Sequence, residues 1–145
     1  MIHPPVDVLR AAEVARRHHR WQTDKAGKPY FDAHVVDVHR RVSGKSTAVQ
    51  AVALLHDVLE DTGCTEDELR REFPGHVVDA VLALTHRPGE PLEQYYERVR
   101  ADPLALEVKR ADIGSNTDPA RLAELDQPTR ERLAAKYRAA LAALG

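Results

Sequence analysis

Ala48-Val49-Gln50-Ala51-Val52-Ala53-Leu54-Leu55-His56-Asp57-Val58-Leu59-Glu60-Asp61 begins as a run that is apolar on almost every side and ends in four ionisable side chains. A helix apolar all round is a buried helix, so this stretch predicts a central helix, about Ser46 to Asp61, with others packed around it. Thr62-Gly63 reads as its stop, which sets Asp57, Glu60 and Asp61 at the negative end of the helix dipole, where carboxylates are disfavoured. At about 3.6 residues per turn, His56 stacks with Glu60 and Asp57 with Asp61. A buried acidic cluster beside an imidazole calls for a cation, and a metal ion suits it better than an arginine. The bland alternative, a solvated acidic helix end, sits poorly with such apolar neighbours.

Outward from this helix the hydrophobic period stays helical. A first helix from Pro5 to about Trp21 carries Val8, Ala12, Ala15 and His19 on one stripe. A polar stretch with Gly27 and Pro29 follows, then a helix from about Asp32 to Val42. Thr65 to Glu68 has a capping-box pattern, and further helices are expected over about 76–84, 91–101, 103–116 and 129–144, with a short turn opened by Pro119. The last helix offers Leu133, Tyr137, Leu141 and Leu144 as a packing seam. No strand, repeat or low-complexity segment is visible. The fold class expected is all-α, a single domain over 1–145.

Two further residues complete a metal set. His34 shares an inward stripe with Val38 and Val42, and Asp112 follows Val108 and Leu104 at one and two turns. A lone inward His or Asp is more often structural, yet with His56 and Asp57 these give two imidazoles and two carboxylates. Such an N2O2 set with open positions suits one divalent ion of the Mn2+, Mg2+ or Fe2+ kind, Mn2+ foremost, better than structural zinc. The remaining histidines, His3, His18, His39, His76 and His86, read as surface or core residues.

Composition narrows the function. In 145 residues, 21 basic and 23 acidic side chains give a net charge of −2, so nucleic acid has no electrostatic claim as a partner. The basic run Arg16-Arg17-His18-His19-Arg20 reads largely as a solvated helix face. No stretch reaches membrane-spanning length and no leader pattern opens the chain; with Cys64 as the one cysteine, the expectation is a cytoplasmic protein. Cys64 itself lies in a loop-like stretch with no basic partner close by, a poor nucleophile. Gly44-Lys45-Ser46-Thr47 looks like the end of a phosphate loop, but His39 stands where the first glycine belongs and no strand precedes it; Ser43 or Ser46 is better read as a helix cap.

His34, His56-Asp57 and Asp112 together resemble the H…HD…D signature of the HD superfamily of metal-dependent phosphohydrolases. Residues 53–62, Ala-Leu-Leu-His-Asp-Val-Leu-Glu-Asp-Thr, closely resemble a segment of the hydrolase domain of RelA/SpoT-type enzymes and small alarmone hydrolases. His19 to Tyr30 is similar to that family's first loop, and Val108 to Asn116 to its Lys-x-Ala-Asp-x-x-x-Asn motif. The resemblance spans roughly residues 10 to 125. It implies a hydrolase that removes the 3′-pyrophosphate from guanosine tetra- or pentaphosphate: His34, His56, Asp57 and Asp112 holding the metal, Glu60 and Asp61 as the catalytic acid–base pair, Lys25 and Asn116 touching substrate. No synthetase module fits this length, so the expected chemistry is hydrolysis alone.

The chain also departs from that pattern. Asp24 stands where the family commonly has an arginine against the base, one extra residue separates Tyr30 from His34, and Val35 replaces a proline. Weak discrimination between purines is therefore expected, with Asp24→Arg lowering the KM. The alternatives are an HD phosphohydrolase for another nucleotide or a dinucleotide cofactor, and a non-catalytic nucleotide sensor, which intact Glu60 and Asp61 oppose. The implied partner is a small-molecule nucleotide, with neither nucleic acid nor membrane, and a homo-oligomer is left open.

Overall fold

The computed structural model describes residues 4–145, all-α apart from one isolated bridge between Thr23 and Pro29; His3 lies outside the described residues. In chain order the helices are α1 (Val8–His19), a π-helical turn (Phe31–Val35) running into α2 (Val36–Arg41), α3 (Thr47–Leu55), α4 (Val58–Asp61), α5 (Glu66–Glu72), α6 (Gly75–Leu84), α7 (Leu92–Ala101), α8 (Pro103–Asn116), α9 (Pro119–Leu122) and α10 (Gln127–Leu144). None is long and apolar enough to cross a membrane.

Capping chemistry sets most boundaries. Asp7, Ser46, Thr65, Asp102, Asp118 and Asp126 each accept a backbone N–H from the first turn they precede, satisfying donors that helix starts leave unpaired. Ser46 is thus the cap of α3, and Pro103, Pro119 and Pro128 follow where a missing N–H costs nothing. The core is built on α3, whose Val49 and Ala51 through Leu55 are buried against α1, α2, α6 and α8, while α10 closes over α7 and α8.

Two expectations need correction. The central helix is not continuous to Asp61: it ends at Leu55, His56 and Asp57 form a turn, and Asp57 takes φ −105° and ψ 0°, opening α4. That conformation lies in the sparsely populated bridge region where site residues recur. The break places Glu60 and Asp61 in the first turns of a new helix, so the stacking and dipole argument made for one unbroken helix does not apply. On α10, Leu141 is 47% exposed, and Ala140, 1% exposed, takes its place; the buried seam is Leu133, Tyr137, Ala140 and Leu144, which follows the 3.6-residue period more closely.

Residues 31–35 account for the extra residue before His34. A π turn holds one more residue than an α turn, so the insertion is taken up locally. His34 and Val35 at its end and Val38 beyond it are all buried.

Candidate metal centre and active site

Where α3 breaks, four side chains from three parts of the chain converge. His34 from the π turn, His56 and Asp57 from the break, and Asp112 from α8 bring one donor atom each within 4.8 Å of one another. His34 Nε2 lies 2.8 Å from Asp112 Oδ1 and 3.7 Å from Asp57 Oδ2; His56 Nε2 lies 3.0 Å from Asp57 Oδ2 and 3.5 Å from Asp112 Oδ1. Octahedral ions with ligands at 2.0–2.1 Å have adjacent donors roughly 3 Å apart, so the spacing fits a divalent ion. Both Nε2 atoms are shut from solvent without a hydrogen-bond partner, which buried polar atoms rarely tolerate.

The far side of each ring explains its orientation. His56 Nδ1 donates to Ala53 O at 2.6 Å, so the lone pair of the neutral ring belongs to Nε2 and faces the cluster. His34 Nδ1 meets Ser115 Oγ at 3.1 Å. Such outer partners fix tautomer and direction in metal-binding histidines. The carboxylates are held as firmly: the Tyr30 hydroxyl donates to Asp57 Oδ2, Lys109 Nζ to Asp112 Oδ2 at 3.1 Å and Asn116 Nδ2 to Asp112 Oδ1 at 3.2 Å.

Electrostatics also call for a cation. Burial opposes charge on His56, but Asp57 and then Asp112 outweigh it and hold the imidazole well above its ordinary range. Burial likewise opposes the carboxylates, yet His56 draws Asp57 down and Lys109 draws Asp112 well down. The cluster keeps its negative charge and gathers positive charge around it.

Glu60 lies at the rim of a cleft of about 120 Å³ that it shares with His56, Asp57, His86, Tyr95, Lys109, Asp112 and Lys136. Its Oε1 accepts the His86 backbone N–H at 2.7 Å, leaving the other oxygen free. Asp61 sits on a different branch: Gln22 Nε2 donates to its Oδ2 at 3.4 Å, and Gln22 Oε1 accepts from His19 Nδ1 at 2.7 Å. Partial burial first, and the nearby Asp57 next, push both carboxyls above their ordinary values, toward the range where a carboxylate works as a base.

A second cleft, about 240 Å³, opens on the other side of the cluster between Tyr30, Asn116, Arg121, Leu125, Leu133 and Tyr137, with Lys25 at its mouth. Asp24 lines it too, although its carboxylate is spent within the loop: Oδ1 accepts the Ala26 and Lys28 N–H groups at 2.9 Å each, and Oδ2 faces Arg121 Nη2 at 3.6 Å. Arg121 thus faces the Asp24 charge and the carboxylate shapes the loop, which argues against the expectation that Asp24→Arg improves binding.

Against known sequences, the chain is 35% identical over 116 residues to a probable GTP pyrophosphokinase of Mycobacterium leprae, a match covering 72% of this chain and 15% of that protein. The guanosine-3′,5′-bis(diphosphate) 3′-pyrophosphohydrolase of Aquifex aeolicus is 31% identical over 116 residues, 73% of this chain and 16% of that one. Human guanosine-3′,5′-bis(diphosphate) 3′-pyrophosphohydrolase MESH1 is 35% identical over 116 residues, 72% of this chain and 64% of its own length. The chain is homologous to RelA/SpoT-type hydrolases and to MESH1. It spans less than two thirds of the length of each of these relatives. No protein-family model matches. The solved structure of a metazoan ortholog of SpoT that hydrolyzes ppGpp superposes with a TM-score of 0.80 over 99% of this chain and 88% of that one, at 22% identity, a likeness of fold.

Set beside these relatives, the residues singled out from sequence divide by place. His34, His56, Asp57 and Asp112 come together, Glu60 borders them, Asp61 stands on the Gln22 branch, Lys25 lines the wider cleft, and Asn116 lines that cleft while bonding Asp112. Sequence reasoning did not single out Tyr30, Lys109, Ser115, Arg121, Lys136 or Tyr137 as site residues. Lys109 and Ser115 were within reach, three residues either side of Asp112 on one helix face; Arg121, Lys136 and Tyr137 arrive only through the packing of α9 and α10. His86, read as surface or core, borders the narrower cleft beside Glu60.

Proposed function

We propose that this chain is a metal-dependent nucleotide phosphohydrolase that removes the 3′-pyrophosphate from guanosine tetra- or pentaphosphate. The observation carrying the reading is the pair of buried histidine Nε2 atoms, without hydrogen bonds, converging on Asp57 and Asp112 in a chain 35% identical to MESH1. His34, His56, Asp57 and Asp112 would hold one divalent ion, for which Mn2+ suits the N2O2 donors. Bound there, such an ion supplies Lewis acidity that activates water and neutralises phosphoryl charge.

The chain's own residues do the rest. Glu60, with one oxygen committed to His86 and the other free, takes the proton from the attacking water, and Asp61, held by Gln22, orients that water or serves the leaving group. The nucleoside fits the wider cleft, its base against Leu125, Leu133 and Tyr137, with Asn116 and Lys25 in reach of ribose and phosphate. The departing pyrophosphate faces the narrower cleft, where Lys136 makes no ion pair among the described residues. Burial first, then the Lys109 and Lys25 charges, push its pKa down, so an arriving phosphate would relieve that repulsion. The single thiol supports a reducing, cytoplasmic setting.

Asp24 favours a second reading, in which the same centre hydrolyses a phosphate ester of another nucleotide or a dinucleotide cofactor, since no guanidinium stands at that position to stack on a purine. Product identification separates the two. Incubation with guanosine tetraphosphate should yield GDP and pyrophosphate; no turnover of that compound beside efficient turnover of a dinucleotide phosphate establishes the second reading.

A further inference from the structure

Between the end of α1 and the start of α5, three side chains of different ligand chemistry face one another. His18 comes from the end of α1, Cys64 from the loop before α5, and Glu68 from the first turns of α5. Their Nε2, Sγ and carboxylate oxygen lie within 4.8 Å of one another. Glu68 Oε2 is 3.2 Å from His18 Nε2 and 3.8 Å from Cys64 Sγ. With Zn–N and Zn–O near 2.1 Å and Zn–S near 2.3 Å, a tetrahedral ion sets N and O about 3.4 Å apart and S and O about 3.6 Å apart. Both edges to Glu68 are close to those values.

A second observation points the same way. His18 Nε2 is closed off from solvent and has no hydrogen-bond partner; its approach to Glu68 lacks hydrogen-bond geometry. Cys64 is 5% exposed, which shields the sulfur from other reactions.

We propose that His18, Cys64 and Glu68 form a second metal site, distinct from the His/Asp centre, that takes a borderline-soft divalent cation of the zinc class with one position left for water. Thiolate, imidazole and carboxylate together favour zinc over the harder ions suited to the N2O2 centre. Burial, then the Glu68 charge, raise the thiol to about 11, so without metal the sulfur is protonated; on binding, the S–H proton leaves to solvent as the S–metal bond forms. The ion would tie α1 to α5 beside the turn that carries Glu60 and Asp61.

Cobalt tests this separately from catalysis, because only this site offers a thiolate. Titrating Co2+ into the reduced, metal-free chain should produce a sulfur-to-cobalt charge-transfer band that saturates at one equivalent of this site and is bleached by Zn2+. The band should be absent in Cys64→Ser, retained in His56→Ala, and shifted at least tenfold in midpoint in His18→Gln and Glu68→Gln, each variant shown folded by circular dichroism. No band in the folded wild-type chain at saturating Co2+, or a band whose midpoint neither His18→Gln nor Glu68→Gln moves, overturns the proposal.

Discussion

His56 does most to organise the centre: its Nδ1 is anchored to Ala53 O and its Nε2 meets both carboxylates. His56→Ala should therefore lose the ion together with activity. Glu60, which touches the rim and not the donor set, gives a different outcome: Glu60→Gln should keep one ion by elemental analysis while kcat falls about 100-fold or more, the usual scale for a positioned acid or base. A Glu60→Gln variant with normal turnover would remove that residue from the mechanism. The raised pKa of His56 also sets a pH dependence. A group whose pKa is raised in the folded chain keeps its proton to higher pH, and that proton competes with the metal, so apparent affinity should climb about tenfold per pH unit for each proton displaced until His56 is deprotonated; calorimetric titration across pH would show a flat profile if no proton is displaced. At Asp24, replacement by arginine leaves the Ala26 and Lys28 amides without their acceptor and sets two guanidinium groups together. The expected cost is about 0.5–1.5 kcal/mol of stability and a higher KM, read by thermal melts and steady-state kinetics; a lower KM with unchanged melting would contradict the loop role.

At the scale of elements, the helices were legible because they carried their own punctuation: Ser46 and Thr65 as caps, Pro103 and Pro119 as openers, and an apolar period between. What composition hid was where a helix is interrupted. Nothing in Leu55-His56-Asp57-Val58 marks a break, because both sides are apolar and helix-forming; the break comes from the tertiary demand that His56 and Asp57 face the same point as His34 and Asp112. The π turn at 31–35 is similar, visible in sequence only as one residue too many. Deleting the exposed Asp32 should close it to an α turn and leave His34 pointing inward, with metal stoichiometry and turnover retained. Loss of the ion in that variant would show that the wide turn itself is needed to place His34.

For the whole molecule, His34 and Asp112 were legible from inward stripes, His56 and Asp57 from the apolar run they follow, and all four from likeness to a family. The walls of the clefts were not, because Arg121, Lys136 and Tyr137 lie far along the chain and reach the site only when α9 and α10 close over α7 and α8. The resulting arrangement sets a wide, partly apolar cleft and a narrow one carrying Lys109 and Lys136 on either side of the buried His/Asp cluster, which suits a nucleotide carrying a pyrophosphate. An ion held by His34, His56, Asp57 and Asp112 would be the catalytic one. The direct measurement is pyrophosphate release from guanosine tetraphosphate by chelator-stripped chain as Mn2+ is returned stepwise: activity should start at zero, rise with occupancy of the His/Asp centre, level off once that centre is filled, and stay at zero in His56→Ala, whereas full turnover by the stripped, metal-free chain would contradict it.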